Sequence, residues 1–315
     1  MTEVLETWNT RYWAWLQYIV ELVRVVDSGS AVSLGPSLQS LVPPAFPSAE
    51  QPLKVVYCAP HPDDESLSGA LALRLRFEGA EVTNVAITLG SDTNQRPRRL
   101  LELESACRVL GFRLVVPATA SGAWAFDDVN LRSRQAYPDD WAEKVRILGE
   151  IFDREGPDVV FAPHAEDFNT THIGTHALVA EALAGHLKRV GRNALTLIQT
   201  EFWHQLFQPN LMVGLTAELV AHQMTAATEH GGEMSRNPYH LRHACRLMDN
   251  VRRGSEVVCG QGAAAQQFTF AELYHLAFIE NGHVVSPRAS GRVIGPRDRI
   301  DLAALIAEFR SAGTR

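Results

Sequence analysis

The residues with the greatest capacity for chemistry are His61-Pro62-Asp63-Asp64-Glu65, one imidazole and three carboxylates set directly behind the apolar run Lys54 to Ala59. Such a run reads as a buried strand that releases its polar load at the carboxyl edge of a sheet, where open α/β folds bind ligands. His61 and Asp64, three apart on a tight loop, offer an imidazole nitrogen and a carboxylate oxygen to one ion, while Asp63 points elsewhere. A catalytic zinc takes three protein ligands and keeps one position open, so a third ligand has to come from a distant loop. His172 is the best candidate, because it follows a second strand, Asp158 to Ala162, that a parallel sheet brings to the same edge. Two histidines and one aspartate suit Zn²⁺ and also Fe²⁺. Asp63, beside the ligands but free of the metal, is placed to accept a proton from bound water, which is the chemistry of a hydrolase. An acidic helix start accounts for one of these carboxylates, hardly for three beside His-Pro.

The elements that must position these residues alternate. Lys54 to Ala59 is followed by a helical pattern over Ser66 to Glu78; Val82 to Thr88 runs into the polar loop Leu89 to Asn94 and then a helix, Arg98 to Leu110, closed by Gly111. Leu114 to Val116 is a short strand, Trp141 to Arg154 a helix, Asp158 to Ala162 a strand, and His172 to Val190 a helix leading to the strand Leu195 to Phe202. Repeated strand-loop-helix units predict an α/β fold, a Rossmann-like, mostly parallel sheet with helices on both faces. Leu211 to Thr216 is expected as an edge strand, Ala217 to His230 and Tyr239 to Arg253 as helices, and Phe268 to Glu280 with Leu302 to Phe309 as helical or mixed pieces. Residues 1–51 form an extra N-terminal helix and a Ser/Pro/Gly-rich linker, 52–283 the main domain, and 284–315 a C-terminal appendage with a short helix. The long interval Pro117 to Tyr137 carries Trp124, Phe126 and the pair Asp127-Asp128, the composition of a functional loop or lid.

At 315 residues, 46% of them hydrophobic, the chain can bury a sizeable core. Its net charge of −7 argues against a general nucleic-acid surface and suits a small-molecule partner. The four cysteines form no C-x-x-C pair, so buried thiols in a reducing, cytoplasmic setting are expected rather than a disulfide framework or a structural zinc site. No stretch is long and apolar enough to span a bilayer, and the N-terminus lacks a signal-peptide layout. Trp13, Trp15, Leu16, Tyr18, Ile19, Leu22 and Val23 give the first helix an apolar face for packing on the domain or a partner, which leaves homo-oligomerisation open.

With Pro60-His61-Pro62-Asp63-Asp64-Glu65 after the first strand, Thr88-Leu89-Gly90, Arg99-x-x-Glu102 up to Leu110-Gly111, and the His172 loop, the chain resembles the LmbE-like or PIG-L zinc-dependent N-deacetylases from about Lys54 to His230. The resemblance implies a Rossmann-like fold and removal of N-acetyl groups from amino sugars or their conjugates, with His61, Asp64 and His172 on zinc and Asp63 as general base. The second motif departs from the family's common His-Pro-Asp-His. Here Asn169-Thr170-Thr171-His172 keeps the metal-binding histidine and replaces its companion with Asn169, which can donate a hydrogen bond but no useful proton. Asp63 could then return its proton to the leaving amine, with Asn169 helping to polarise the carbonyl; His164 and His230 are the alternative acids. By the family pattern His230 is assigned to catalysis or substrate binding, and Arg99 to substrate hydroxyls, with Asp92 and Asn94 as neighbours. His176, one turn after His172, lacks the glutamate of an H-E-x-x-H motif and is expected as a core or supporting imidazole.

The leading expectation is therefore a metal-dependent N-deacetylase in which metal-bound water attacks the amide of an N-acetylated amino sugar or conjugate. An amidase acting on a larger conjugate and a catalytically silent sugar-binding protein are the competing readings. A nucleotide-binding Rossmann enzyme is disfavoured, since no G-x-G-x-x-G follows the first strand.

Overall fold

The computed structural model describes residues 9–37, 45–119 and 125–313; Trp124 lies outside them. β1 (Lys54–Ala59), β2 (Glu81–Ala86), β3 (Arg113–Val115), β4 (Val159–Pro163) and β5 (Ala194–Thr200) form a parallel unit in the order β3-β2-β1-β4-β5. The chain winds outward from β1 to β3, then returns to lay β4 on the other side of β1. That reversal opens a crevice at the carboxyl ends of β1 and β4, where ligands bind in open α/β sheets.

Side-chain alternation divides the core into two halves. Val55, Tyr57 and Ala59 of β1, with Val159 and Phe161 of β4, pack with α3 (Ala70–Phe77), α4 (Arg96–Leu110) and α8 (Ala217–Glu229). Val56 and Cys58, with Val160 and Ala162, pack on the opposite face with α6 (Pro138–Glu155) and α7 (Thr170–Val190). Both faces of these strands are buried, so they read as continuous apolar runs rather than as alternating ones. Together they give the mostly parallel, helix-covered sheet that the alternation of elements predicts.

Two expectations change. The helix drawn over Ser66 to Glu78 breaks at Ser68-Gly69 into α2 (Asp64–Leu67) and α3, and the backbone there admits only glycine, since a Cβ at Gly69 would lie 2.1 Å from the Glu65 carbonyl oxygen. Phe270–Glu280, expected as helical or mixed, is the 11-residue strand β7, antiparallel to β5 on one side and to β6 (Leu211–Leu215) on the other. β7 is buried on both sides, and this removes the period-2 signal that would have marked it as a strand. Its buried Glu272 is held by the Ala70 N–H at 3.0 Å and the Gln223 amide at 2.8 Å.

β6 also gains a second neighbour, pairing in parallel with β9 (Arg292–Ile294). It is thus interior rather than an edge strand. β8 (His283–Val285) pairs with β7, and Phe309 of α11 (Leu302–Ser311) packs fully buried against Leu276 and Phe278. A loop helix, α5 (Leu131–Ala136), and two helices, α9 (Gly231–Arg236) and α10 (His240–Val257), complete the described elements. α1 (Asn9–Ser30) exposes Trp13, Trp15, Ile19 and Val23 by more than half of their surface. No helix among the described residues is long and apolar enough to cross a membrane.

Candidate active site

β1 ends in a turn that the sheet cannot relax. Asp63 has φ 125° and ψ −26°, in the left-handed half of backbone space, which costs a side-chain-bearing residue on the order of 1–3 kcal/mol. Several bonds hold it there. The Asp63 N–H donates to Glu65 at 3.0 Å, the His61 N–H to Asp64 Oδ2 at 2.9 Å, and an Arg99 Nη2 donates to the Pro62 carbonyl at 3.0 Å. Thr88, at the end of the adjacent strand, ties in the Pro60 carbonyl through its hydroxyl at 2.7 Å.

Across the crevice, Asn169 caps α7 by accepting the Thr171 N–H at 2.9 Å, and the first turn of that helix delivers His172. His172 Nε2 lies 3.3 Å from Asp64 Oδ2 and 3.3 Å from His61 Nδ1, while His61 Nδ1 is 3.5 Å from the same carboxylate oxygen. One ligand atom from each of His61, Asp64 and His172 lies within 4.8 Å of the others, the geometry of a three-ligand metal site. On its far side, His172 Nδ1 faces Asp167 Oδ2 at 3.5 Å, a buried oxygen with no hydrogen-bond partner among the described residues. A carboxylate behind the second ring nitrogen fixes the tautomer and raises the basicity of a metal-binding histidine, so the residues present fit a divalent metal.

The electrostatics agree. Burial works against charge on His172, yet Asp64 and Asp167 outweigh it and raise its pKa to about 10. Burial likewise opposes ionisation of Asp64, but His172 and His61 hold that carboxyl well below its ordinary range. The carboxylates of the centre thus favour positive charge beside them. Asp63 behaves in the opposite way: burial, then the neighbouring Asp64 charge, push its carboxyl well above the usual range, with Arg99 opposing. Two adjacent aspartates with affinities driven apart are the pattern of one ligand and one proton carrier.

These residues open into a cavity of about 710 Å³ lined by His61, Asp63, Asp64, Arg96, Arg99 and Asn169 among others. Asp92 and Asn94 lie outside its lining, exposed, with the Asp92 carboxylate accepting the Asn94 N–H at 3.0 Å to cap a short turn. His230 also stays outside. It is buried, with Nε2 on Glu65 at 2.7 Å, and through Glu65 it braces the Asp63 backbone. His164 bonds the His204 carbonyl at 3.0 Å and His176 the Pro163 carbonyl at 3.0 Å, so neither joins the cluster. The lining adds residues that the sequence reading did not single out as ligand-binding. Arg96 donates to the Gly90 carbonyl at 3.1 Å and pairs with Asp127, and Asp128, Asn130 and Glu233 also face the space. A helix beginning at Arg96 instead of Arg98, with Pro97 in its first turn, was the available signal for the first of these.

Residues 56–183, the segment that contains every ligand of the cluster, match the family model described as PIG-L: GlcNAc-PI de-N-acetylase. That segment is similar to the PIG-L family. No curated protein sequence matches the chain. Among solved structures, the chain resembles the conserved protein TT1542 from Thermus thermophilus, at 22% identity and a TM-score of 0.53, over 79% of this chain and 100% of that one. A teicoplanin deacetylase in its zinc-inhibited form is similar at 14% identity and a TM-score of 0.50, over 72% of this chain and 98% of the other. The 4-carboxy-2-hydroxymuconate hydratase GalB from Pseudomonas putida is similar at 16% identity and a TM-score of 0.52, over 78% and 100%. At these identities the likeness establishes the fold. A hydratase among the neighbours shows that this fold carries more than one reaction, so the activity has to be argued from the site.

Proposed function

We propose that the chain is a metal-dependent hydrolase that removes an acetyl or related acyl group from the nitrogen of an amino sugar or amino-sugar conjugate. The observation that carries this reading is the convergence of His61, Asp64 and His172 within 4.8 Å beside a buried Asp63 in a polar cavity. Zn²⁺, or Fe²⁺ with the same donors, would be held by those three side chains and would acidify a water and polarise the acyl oxygen.

The remaining steps belong to the protein. Asp63, with its raised proton affinity, takes the proton of the attacking water and carries it to the departing nitrogen, so one carboxyl serves as base and then acid. This fits a site in which Asn169 stands near the reacting centre. Its Oδ1 is spent on the α7 cap, leaving the amide NH₂ to donate toward the developing negative charge on the acyl oxygen. Arg96 and Arg99 supply fixed donors for hydroxyls on the sugar, and the Glu65–His230 pair keeps the Asp63 backbone in its strained turn.

The test is release of free amine from N-acetylglucosamine and simple conjugates by the metal-loaded protein. Wild type is expected to release amine and acetate in equal amounts. Asp63→Asn is expected to lower kcat by about 10²- to 10⁴-fold with metal content unchanged. Equal rates in the variant and wild type, or no amine from any N-acyl sugar, would remove the proposal.

A further inference from the structure

Beside the polar cavity lies a second one of different character, about 410 Å³, lined by Phe202, Trp203, Pro238, Tyr239, His243 and Arg246 with Asn237 and Arg242. Phe202, Trp203 and Tyr239 line both spaces. The three rings meet edge-on, with centroids 5.4, 5.6 and 6.0 Å apart, so the partition is a cluster of aromatic side chains. Trp203 remains 46% exposed, a large apolar surface left uncovered next to a candidate active site.

Part of the polar lining of this pocket is already committed. The Arg246 guanidinium sits 5.0 Å over the Phe202 ring and donates to the Leu67 and Glu201 carbonyls, which makes it a brace for the aromatic wall rather than a free cation. His243 is buried, and its Nε2 has no partner among the described residues. Predominantly apolar, aromatic-walled cavities recognise apolar groups. All of these residues lie beyond residue 183, outside the PIG-L match.

We infer that this pocket is a second substrate subsite that receives an apolar alkyl or aryl group of the molecule whose acylated amine reaches Asp63, so that the chain selects amphipathic amino-sugar conjugates over the free sugar. The inference rests on the proposed deacylation for its kinetic form and on the pocket alone for its binding form. The two cavities share Phe202, Trp203 and Tyr239 along one border, so a single two-part ligand lying over these rings reaches both, and the volume falls within the roughly 300–1,000 Å³ of cavities that enclose small organic groups.

The experiment compares kcat/KM for N-acetylglucosamine with that for its hexyl and phenyl β-glycosides, in wild type and in Arg242→Trp. Arg242 is exposed at this pocket and lines only this one, so a tryptophan there obstructs the subsite without a core change. Wild type is expected to favour the hexyl glycoside by about tenfold or more, mainly through KM, as the burial of several methylenes requires. Arg242→Trp should erase that preference while the free sugar reacts within about twofold of wild type. Equal kcat/KM for free sugar and glycosides in wild type overturns the subsite and leaves the deacylation reading standing. If no N-acyl sugar is hydrolysed, calorimetric titration with hexyl β-glucoside decides instead. Saturable binding blocked by Arg242→Trp upholds the subsite though deacylation fails, and no binding, or binding the variant keeps, overturns it.

Discussion

Asp63 and His243 are both buried titratable residues, and burial drives their affinities in opposite directions because one is anionic and the other cationic when charged. For Asp63 the effect serves the chemistry, since a carboxyl that binds protons more readily than usual is a better proton acceptor. For His243 the effect is a stability linkage. Burial, reinforced by the Arg246 charge, lowers its pKa to about 3. Between the free value of about 6.5 and that pKa, the unfolded chain binds a proton that the folded chain refuses. Stability contributed by neutral His243 is therefore present above about pH 6.5 and lost as pH falls, by about 1.4 kcal/mol per unit. His243→Phe should flatten the dependence of urea-unfolding stability on pH between about 6 and 4 relative to wild type; parallel curves for the two proteins would show that the imidazole is not held neutral. Asp63, Asp64, His61 and His172 were legible in the sequence because their types and spacing leave few alternatives to metal chemistry. Asp167 and Arg96 were not, since their roles come from turn geometry: one is carried behind His172 by the approach to α7, the other is set by where α4 starts.

Helix α7 does more than present His172. Gly174, two residues on, packs so tightly against the loop at Val129 and Asn130 that a Cβ would lie 2.3 Å from the Val129 carbonyl oxygen and 2.6 Å from the Asn130 Cα. That loop carries Asp127, Asp128 and Asn130 into the cavity. Gly174→Ala is expected to cost on the order of 1–3 kcal/mol through backbone displacement, outweighing the roughly 1 kcal/mol that alanine gains over glycine in a helix. It should also weaken substrate binding. Gly185→Ala in the same helix meets only the Arg189 side chain, at 3.1 Å, and should be neutral or stabilising. Thermal melts of the pair check this, and equal shifts would show that the α7-loop contact does not constrain the site. The loop was visible in the sequence as a polar, aromatic-bearing interval. Its docking on a glycine of a helix more than forty positions away was not, because a small residue in a helix has several ordinary explanations. Interior burial likewise hid β7, whose two covered faces suppress alternation, whereas β1, β2, β4 and β5 were bracketed by loops and helices that marked their ends.

At the scale of the whole molecule, the sheet is what makes the site. His61 and His172 stand 111 positions apart, yet their ring nitrogens lie 3.3 Å from each other because β1 and β4 are adjacent parallel strands at the point where the winding reverses. Parallel strands joined by helical crossovers all end at one edge of the sheet, so delivery of both loops to that edge could be expected from sequence, whereas the adjacency of β1 and β4 is seen only in the structure. The partnership of β6, β7 and β9 could not be expected, since neither the antiparallel pairing of β7 with β6 nor the parallel pairing of β6 with β9 follows from a local signal. The central claim is that this topology builds one metal site next to a proton-carrying aspartate. It is tested most directly by measuring the bound divalent metal of the folded protein by elemental analysis, for wild type and for His172→Ala of equal helical content by circular dichroism. Wild type should hold about one equivalent and His172→Ala almost none, with amine release lost in step. A full equivalent retained by His172→Ala, or none taken up by wild type from zinc or ferrous iron, would contradict the account.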